Sequence, residues 1–249
     1  MENLLPVWTD HYDINWFDAD TGNRATLVSI CKFLQESAWR HANHLGFGYR
    51  TVQSIDQIWV LIRLLVKMDT YPLWQDKITV KTWPRGVDGL LALRDFTISD
   101  ENNKQFGAAS SQWFILDGVT RKPKPALIVK DILPLVTSTP AMEEQPGKII
   151  IRERLEFAHS FKTSFTDLDI NQHVNNTRYI EWILHAFPDQ SYHDYFIHSL
   201  LIEFLAEAHS GEEIELFWNK GVNPSLFKGV RLEDDKTIFR AKMIWKRRH

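Results

Sequence analysis

The sequence has little of several features that would assign a protein to a class at once. It contains a single cysteine, Cys31, in 249 residues, which excludes an intramolecular disulfide framework and a multi-cysteine metal site. It has no run of the roughly 18 apolar residues that a membrane-spanning helix needs, and its start, MENLLPVWTDHYDINW, lacks the basic and apolar regions of a targeting segment. Its formal net charge of -3 is not the basic excess that nucleic-acid binding normally requires. We therefore expect a cytoplasmic protein with no membrane span and no nucleic-acid partner.

Apolar content, by contrast, is ample. Hydrophobic residues make up 44% of the chain and aromatic residues 12%, enough to bury a core as one large domain or two small ones. Two stretches, FDADTGNRATLVSICKFLQESA at 17–38 and FTDLDINQHVNNTRYIEWILHA at 165–186, align at an offset of 148 residues (165 − 17). In each, an alternating, strand-like segment comes before the stretch, and apolar residues at helical spacing follow. The chain therefore repeats one structural unit.

Four strand-like segments follow each predicted helix. They are QIWVLIRLLVKMDTYP, DKITVKTWPRG, GLLALRDFTIS and KQFGAASSQWFILD in the first half, and SLLIEFLAEAHS, EEIELFWNKG, SLFKGVRLE and TIFRAKMIWK in the second. The polar links SDENNK and EDDK have the length and composition of hairpin turns. This order predicts an α+β protein of two tandem hotdog domains, each a long helix wrapped by an antiparallel sheet, with the two sheets continuous.

The segment VTSTPAMEEQPGK separates the halves. It carries Pro140, Pro146 and Gly147 without any periodicity, which is typical of a linker. We predict an N-terminal domain at 1–139, a linker at 140–153 and a C-terminal domain at 154–249. The alternative is one continuous β-rich domain whose self-similarity is accidental.

Polar side chains crowd the start of the second helix. Asp169, Asn171 and His173 alternate along the chain, so in an extended segment they would point the same way. The aligned residues of the first half are Thr21, Asn23 and Ala25. The histidine therefore occurs in only one of the two aligned stretches, the second, which favours a chemical role for that copy.

Asn175 or Asn176 suits the N-cap of this helix, where a short amide side chain accepts from free backbone N–H groups. The positive end of a helix can stabilise an oxyanion, so the cluster suits acyl transfer to water. The alternative is that these residues are turn and cap residues with no chemistry. The sequence has neither H-x-x-E-H spacing for a metal hydrolase nor a G-x-S-x-G motif. We expect no metal and no cofactor.

The motif DLDINQHVNNTRYIEWIL resembles the signature of the acyl-ACP thioesterases, double-hotdog hydrolases of fatty acyl groups carried on acyl carrier protein. RATLVSICKFLQESAWRHANHLG, IWVLIRLLVKMDTYPLWQDKITVKTW and ASSQWFILDGVTRKP also resemble that family, so the resemblance covers nearly the whole chain. It implies release of free fatty acid, with acyl carrier protein as the partner. It also implies a catalytic aspartate, asparagine, histidine and glutamate, which fall on Asp169, Asn171, His173 and Glu207.

Glu207 comes from the family pattern, because strand periodicity does not separate it from Glu203 in LLIEFLAEAH. Plant members of the family carry a cysteine directly after this glutamate, and this chain has Ala208 there. A covalent cysteine mechanism is therefore not expected. We predict that Glu207, held by His173 and Asp169, activates water. The roles of the two carboxylates could be exchanged.

Other assignments stay open. In simpler hotdog thioesterases acting on CoA esters, a D-x-D-x-x-x-H pattern supplies the base, and Asp167 with Asp169 fits it too. Asn171 and the backbone N–H groups of 174–176 are predicted to polarise the carbonyl. An acyl-CoA thioesterase and a non-catalytic acyl-binding protein are the alternative functions. A homodimer is a further arrangement that the sequence leaves open.

The family resemblance implies an acyl pocket in the first hotdog. The predicted lining residues are Trp59, Leu61, Trp83, Leu91, Leu93 and Trp113, with Asn175 and Asn176 at the reacting end. Acyl carrier protein is acidic, so a basic face is expected on this chain. The clusters TRKPKP and KRRH are the candidates, and the alternative is that both only aid solubility.

Overall fold

Two units make up the protein, whose computed structural model describes residues 4–126 and 139–248. The units are Met1–Pro146 and Gly147–His249, and the division point lies inside the segment 140–153. Residues 136–138 of the predicted VTSTPAMEEQPGK linker region, and His249 of the KRRH cluster, lie outside the described residues. Within the described ranges, no helix has both the length and the apolar character needed to cross a membrane.

In its described residues, the first unit is an antiparallel sheet of five main strands and one two-residue strand, with one long helix. Its elements are β1 (Trp8–Asp13), α1 (Leu27–His44), α2 (Tyr49–Gln53), β2 (Gln57–Met68), β3 (Lys77–Asp88), β4 (Leu91–Ser99), β5 (Gln105–Asp117) and the short β6 (Pro123–Lys124). The strand order is β1-β3-β4-β5-β2, and β6 pairs with β5. Thr26 caps α1 by accepting the Ser29 N–H, which satisfies one free donor of the first turn.

The second unit repeats this topology. Its elements are β7 (Glu156–Lys162), α3 (Asn176–Leu184), α4 (Asp189–Asp194), β8 (Tyr195–Phe204), β9 (Glu213–Trp218), β10 (Ser225–Arg231) and β11 (Lys236–Arg247). The strand order β7-β9-β10-β11-β8 matches that of the first unit position by position. The predicted α+β fold of two hotdog units is therefore confirmed.

The prediction of a long helix in both units is wrong for the second. Helix α1 has 18 residues, whereas α3 has nine and ends at Leu184. Pro188 disfavours a helical conformation at Phe187, and the Phe187 ring instead lies edge-on against Trp218 and Trp245, with centroids 5.2 and 4.7 Å away. The chain thus leaves the helix to fill the core.

The two units align one residue away from the offset expected from sequence. In both, an aspartate N–H closes a short 3-10 turn, Asp18 to Asn15 and Asp167 to Ser164. This equivalence gives an offset of 149 residues (167 − 18). The residues that correspond to Asp169, Asn171 and His173 are therefore Asp20, Gly22 and Arg24. With this alignment the aspartate is present in both units, as Asp20 and Asp169. The hydrogen bonds of the turn, rather than the spacing of the phenylalanines, define the equivalent residues.

A histidine and an arginine lie together inside the first unit. His41 is fully buried on α1, and its Nε2 lies 2.9 Å from the Leu5 carbonyl oxygen, to which it donates. Its other ring nitrogen, Nδ1, accepts from Nη1 of Arg94 at 3.1 Å, and Arg94 also donates to Thr82. Both ring nitrogens of the neutral imidazole are thus satisfied. Burial, and then the Arg94 charge, lower the pKa of His41 to about 3.

We expect this pair to make the protein acid-sensitive. In the unfolded chain His41 takes up a proton near its usual pKa of 6.5, whereas the folded protein resists protonation until about pH 3. Folding stability from this residue is therefore complete above pH 6.5 and falls as the pH is lowered toward 3, by roughly 3 kcal/mol between pH 6.5 and 4. Urea denaturation at successive pH values measures it.

His41→Gln is the informative variant, since an amide can donate to Leu5 and accept from Arg94 without titrating. Its stability should fall less steeply between pH 6.5 and 4 than that of the unaltered protein. His193→Gln, an exposed histidine of α4, is the control and should keep the original slope. Equal slopes in His41→Gln and the parent would contradict the assignment.

Candidate active site

The residues before α3 form a tight turn. Leu168 and Val174 make an antiparallel bridge, the Asp169 N–H donates to the His173 carbonyl at 2.8 Å, and the Gln172 N–H donates to the Asp169 carbonyl at 3.0 Å. Gln172 takes a left-handed conformation, with φ of 63°. The extended segment assumed for the alternating Asp, Asn and His is therefore wrong. The turn, rather than strand alternation, sets where these side chains lie.

The Asp169 carboxylate has a local partner in this turn. Its Oδ1 accepts the Asn171 backbone N–H at 2.8 Å. Asp20 makes the same contact with the Gly22 N–H, also at 2.8 Å, in the other unit. Because the unit without the histidine keeps this hydrogen bond, at least one function of Asp169 is to hold the turn. Asn171 itself is exposed.

The N-cap of α3 is Asn175, one of the two residues that the sequence offered for this position. Its side-chain oxygen accepts the Thr177 N–H at 2.9 Å. Two of the three backbone donors expected to face an oxyanion are engaged elsewhere, because Val174 donates to the Ala208 carbonyl and Asn175 to the Asp167 carbonyl, both at 2.9 Å. Among the described residues none accepts a hydrogen bond from the Asn176 N–H. Of the three donors, Asn176 is thus the one left for a ligand.

Glu207 lies beside His173. Glu207 Oε1 is 3.5 Å from His173 Nδ1, and the two side chains are 30% and 22% exposed, so they face each other at a solvent-accessible position. Glu207 belongs to the loop after β8, which ends at Phe204, and the predicted strand position is therefore wrong. Glu203 is on the strand, only 3% exposed, and accepts the Ile149 N–H. Geometry thus separates two glutamates that periodicity could not.

His209 joins this pair and is a residue that sequence reasoning missed. Its ring centroid is 5.0 Å from that of His173, with the planes at 72°. One ligand atom each of His173, Glu207 and His209 all lie within 4.8 Å of one another. Its position two residues after Glu207 is the one sequence feature that could have indicated that His209 lies near the site. The side chains of these three residues are of the types that could hold a metal ion.

Ala208, next to His209, joins its own segment to the segment that carries His173. Its carbonyl accepts the Val174 N–H, and its own N–H hydrogen-bonds to the Tyr179 hydroxyl. Burial raises the pKa of Tyr179 well above its usual value of 10, and nearby carboxylates including Glu212 and Glu207 raise it further. The phenol therefore stays neutral and anchors the loop that carries Glu207.

The Tyr179 ring is fixed in position by packing against a neighbouring aromatic ring. It lies edge-on to the buried Phe239 ring, with centroids 5.3 Å apart. Phe239 in turn covers Gly229, where an added Cβ would be 2.0 Å from the ring. A glycine is required at that position because only a bare Cα leaves space for the ring. The β10–β11 pair thus fixes the tyrosine that holds the loop.

We expect Tyr179→Phe to loosen this loop. The substitution removes one acceptor, which costs about 1 kcal/mol, and it should raise the hydrogen-exchange rate of the Ala208 amide by about five- to ten-fold. Tyr192→Phe is the matched control, since the Tyr192 hydroxyl donates to the Leu184 carbonyl at the other end of α3. Equal exchange rates at Ala208 in both variants would show that Tyr179 does not hold the loop.

The six predicted acyl-pocket residues fall on two faces of the first sheet. Trp113 lies opposite Leu61 and Ala92, and Trp59 and Trp113 pack on the cluster that contains Ala92. On the same strand Arg94, two residues after Ala92, contacts α1 through His41. Trp59, Leu61 and Trp113 are therefore on the face toward the helix.

The remaining three residues lie on the other face. Trp83 pairs with Asp95, and its indole N–H donates to the Thr139 carbonyl at 3.2 Å. Leu91 and Leu93 alternate with Ala92 and so share the face of Asp95. The Asp95 carboxylate accepts the Ala141 N–H at 2.8 Å. Residues after position 138 therefore cover this face of the sheet. A slot between α1 and the sheet would not include Trp83, Leu91 or Leu93.

Three other groups singled out in the sequence have ion pairs, hydrogen bonds or burial of their own. The Asp167 carboxylate accepts the Ser164 N–H at 2.7 Å and pairs with Arg178 at 3.1 Å, as expected of a turn residue. Burial raises the pKa of the Cys31 thiol to about 12, so this cysteine is not a nucleophile. Within the TRKPKP cluster, Lys124 pairs with Asp117 at 2.5 Å.

Comparison with known proteins gives a family for both halves. The chain matches the model of the acyl-ACP thioesterase N-terminal domain over residues 6–135 and that of the C-terminal domain over residues 152–247. A chloroplastic acyl-[acyl-carrier-protein] hydrolase of Cuphea viscosissima is 31% identical over 264 residues, which cover 96% of this chain and 63% of the relative. A chloroplastic palmitoyl-acyl carrier protein thioesterase of Gossypium hirsutum is 27% identical and covers 98% and 64%. The chain thus spans under two thirds of the length of these relatives.

Solved structures agree with the fold. An acyl-ACP thioesterase from Bacteroides thetaiotaomicron superimposes with a TM-score of 0.87 at 27% identity, covering 97% of this chain and 98% of the other. A 12:0-ACP thioesterase from Umbellularia californica has a TM-score of 0.85 at 21% identity, covering 100% and 99%. The second likeness, at this identity, shows the fold alone.

Proposed function

The chain belongs to the acyl-ACP thioesterase family, and we propose that it hydrolyses the thioester of a fatty acyl group carried on acyl carrier protein. The products are a free fatty acid and the carrier thiol, so the reaction ends chain elongation in fatty acid biosynthesis. The observation that carries the proposal is the facing of His173 Nδ1 and Glu207 Oε1 at 3.5 Å, in the half matched by the family's C-terminal domain.

Glu207 is the base in this proposal. Its carboxylate is partly exposed and reachable by water, and it takes a proton as the water oxygen forms a bond to the thioester carbon. His173 positions that carboxylate. Their separation is longer than a hydrogen bond, and such contacts commonly tighten when substrate binds. Asp169 is the less suitable base, because its carboxylate already accepts the Asn171 N–H.

The carbonyl oxygen gains negative charge as water adds. The Asn176 N–H at the start of α3 and the Asn171 side chain are the donors we assign to it, since Val174 and Asn175 donate elsewhere. The positive end of the helix adds to this stabilisation. When the tetrahedral intermediate collapses, the carbonyl re-forms, the C–S bond breaks, and the leaving thiolate receives the proton held by Glu207.

The acyl chain requires an apolar slot, and we assign it to the helix-facing side of the first sheet. Trp59, Leu61 and Trp113 are the members of the predicted set on that side. Each methylene buried is worth about 0.8 kcal/mol, so the depth of this slot sets the preferred chain length. The exposed Arg121 and Lys122 are the basic residues we assign to the acidic carrier. The cytoplasmic location and a homodimer stay predictions.

A panel of acyl-ACPs and matching acyl-CoAs tests the proposal. Release of free fatty acid should show the higher kcat/KM on acyl-ACP. A higher kcat/KM on acyl-CoA would favour the CoA thioesterase instead. No turnover on either carrier, with acyl chains still bound, would overturn the hydrolase proposal in favour of a binding protein. The Arg121→Glu and Lys122→Glu variants should raise KM for acyl-ACP more than for acyl-CoA.

A further inference from the structure

The facing histidine and glutamate have a third neighbour that the proposed hydrolysis does not use. His209 is exposed, two residues after Glu207, and its ring is 5.0 Å from that of His173. Its backbone N–H is held by Glu212 Oε2 at 3.1 Å, while its side chain points toward the pair. One ligand atom each of the three residues lies within 4.8 Å of the others.

The spacing fits a first-row transition metal. Zinc binds imidazole nitrogens and carboxylate oxygens at about 2.0–2.2 Å in a tetrahedral arrangement, which places two ligand atoms about 3.4 Å apart. The His173 Nδ1 to Glu207 Oε1 distance is 3.5 Å. One edge of the tetrahedron is therefore already formed, and a small rotation of the exposed His209 ring completes a face of three ligands.

The types of donor atom restrict which metal ions could bind here. Two imidazoles and one carboxylate suit Zn²⁺, Cu²⁺ and Ni²⁺, whereas Mg²⁺ and Ca²⁺ prefer oxygen donors. The sequence concealed this set because the ligands come from two distant segments and lack the short spacing of known motifs. The backbone of the loop is fixed through Ala208, whose carbonyl and N–H both have partners, so the two segments that carry the ligands are joined next to the site.

We propose that His173, Glu207 and His209 form a Zn²⁺ site whose occupancy blocks hydrolysis. The ion takes the lone pair of His173 Nδ1 and a carboxylate oxygen of Glu207, which are the atoms assigned to water activation. The blocking part rests on the proposed function, and the binding part stands without it. Zinc is in this respect a reversible inhibitor that competes with catalysis.

Calorimetric titration of the metal-free protein with ZnCl₂ tests binding directly and needs no substrate. We expect one saturable site per chain, no binding of MgCl₂, and at least about ten-fold weaker Zn²⁺ affinity in His209→Ala, since even outer-shell changes cost that much. His209 is exposed, so its removal should leave the fold intact. His193→Ala removes an exposed histidine on α4 and should bind Zn²⁺ as the parent does.

A Co²⁺ titration followed by its visible absorption provides a second readout, because tetrahedral and octahedral Co²⁺ differ in colour intensity. No saturable binding, or equal Zn²⁺ affinity in His209→Ala and the parent, would overturn the site. Saturable binding that leaves fatty acid release unchanged or raises it would overturn the blocking role. Absence of any hydrolysis, by contrast, would count against the proposed function and leave the calorimetric result standing.

Discussion

Glu207→Gln is expected to lower kcat for fatty acid release from acyl-ACP by about 100- to 10,000-fold, the range that a positioned general base contributes. Glutamine has nearly the same shape and still reaches His173, so the loop after β8 should keep its conformation. What it loses is the ability to take a proton from water. KM should change little, because the carboxylate acts on the attacking water rather than on the acyl chain.

The control is Glu233→Gln, which removes a carboxylate from an exposed position between β10 and β11. It should hydrolyse acyl-ACP at the parental rate. Unfolding curves for both variants show whether a loss of activity reflects a loss of fold. A Glu207→Gln protein that keeps more than about a tenth of the parental kcat, well above the loss expected for a base, would remove Glu207 from the role.

Most of the fold could be predicted from the sequence because its signals are local. Each of the eight predicted strand segments overlaps one of the strands β2–β5 and β8–β11, since alternation and polar turns identify strands without tertiary information. The ends are less well predicted, because β8 begins at Tyr195, before the predicted segment SLLIEFLAEAHS, and ends at Phe204, before that segment does. The length of α3 could not be predicted. Its apolar spacing continues to Phe187, and only the packing of that ring against Trp218 and Trp245 shows where the helix ends.

The candidate site was harder to predict, because its geometry depends on a turn. Sequence spacing placed Asp169 and His173 on one extended face, whereas the structure joins their backbones across a tight loop. The offset of 148 residues matches Phe17 with Phe165, whereas the hydrogen-bonded turns match Asp18 with Asp167 and give 149. The first offset concealed that Asp20 repeats the contact of Asp169. A carboxylate that recurs in a unit without the histidine is more simply read as part of the frame.

His173 should matter almost as much as Glu207. We expect His173→Gln to lower kcat by roughly 100- to 1,000-fold, because the glutamine amide lacks the imidazole ring that orients the Glu207 carboxylate, and misplacing a catalytic group by about 1 Å can cost about 100-fold. The backbone of residue 173 accepts the Asp169 N–H, and that bond survives the substitution, so the turn should keep its shape. Steady-state kinetics on acyl-ACP measure the effect, with His193→Gln as the matched control.

The double variant His173→Gln/Glu207→Gln separates a working pair from two independent residues. If the histidine acts by positioning the base, it has nothing left to position once the carboxylate is gone. Residues that act as a unit show such non-additive losses. The double variant should therefore be no slower than Glu207→Gln alone. Losses that multiply would mean that His173 acts on the substrate directly, and the 3.5 Å contact between the two side chains would then not be the basis of catalysis.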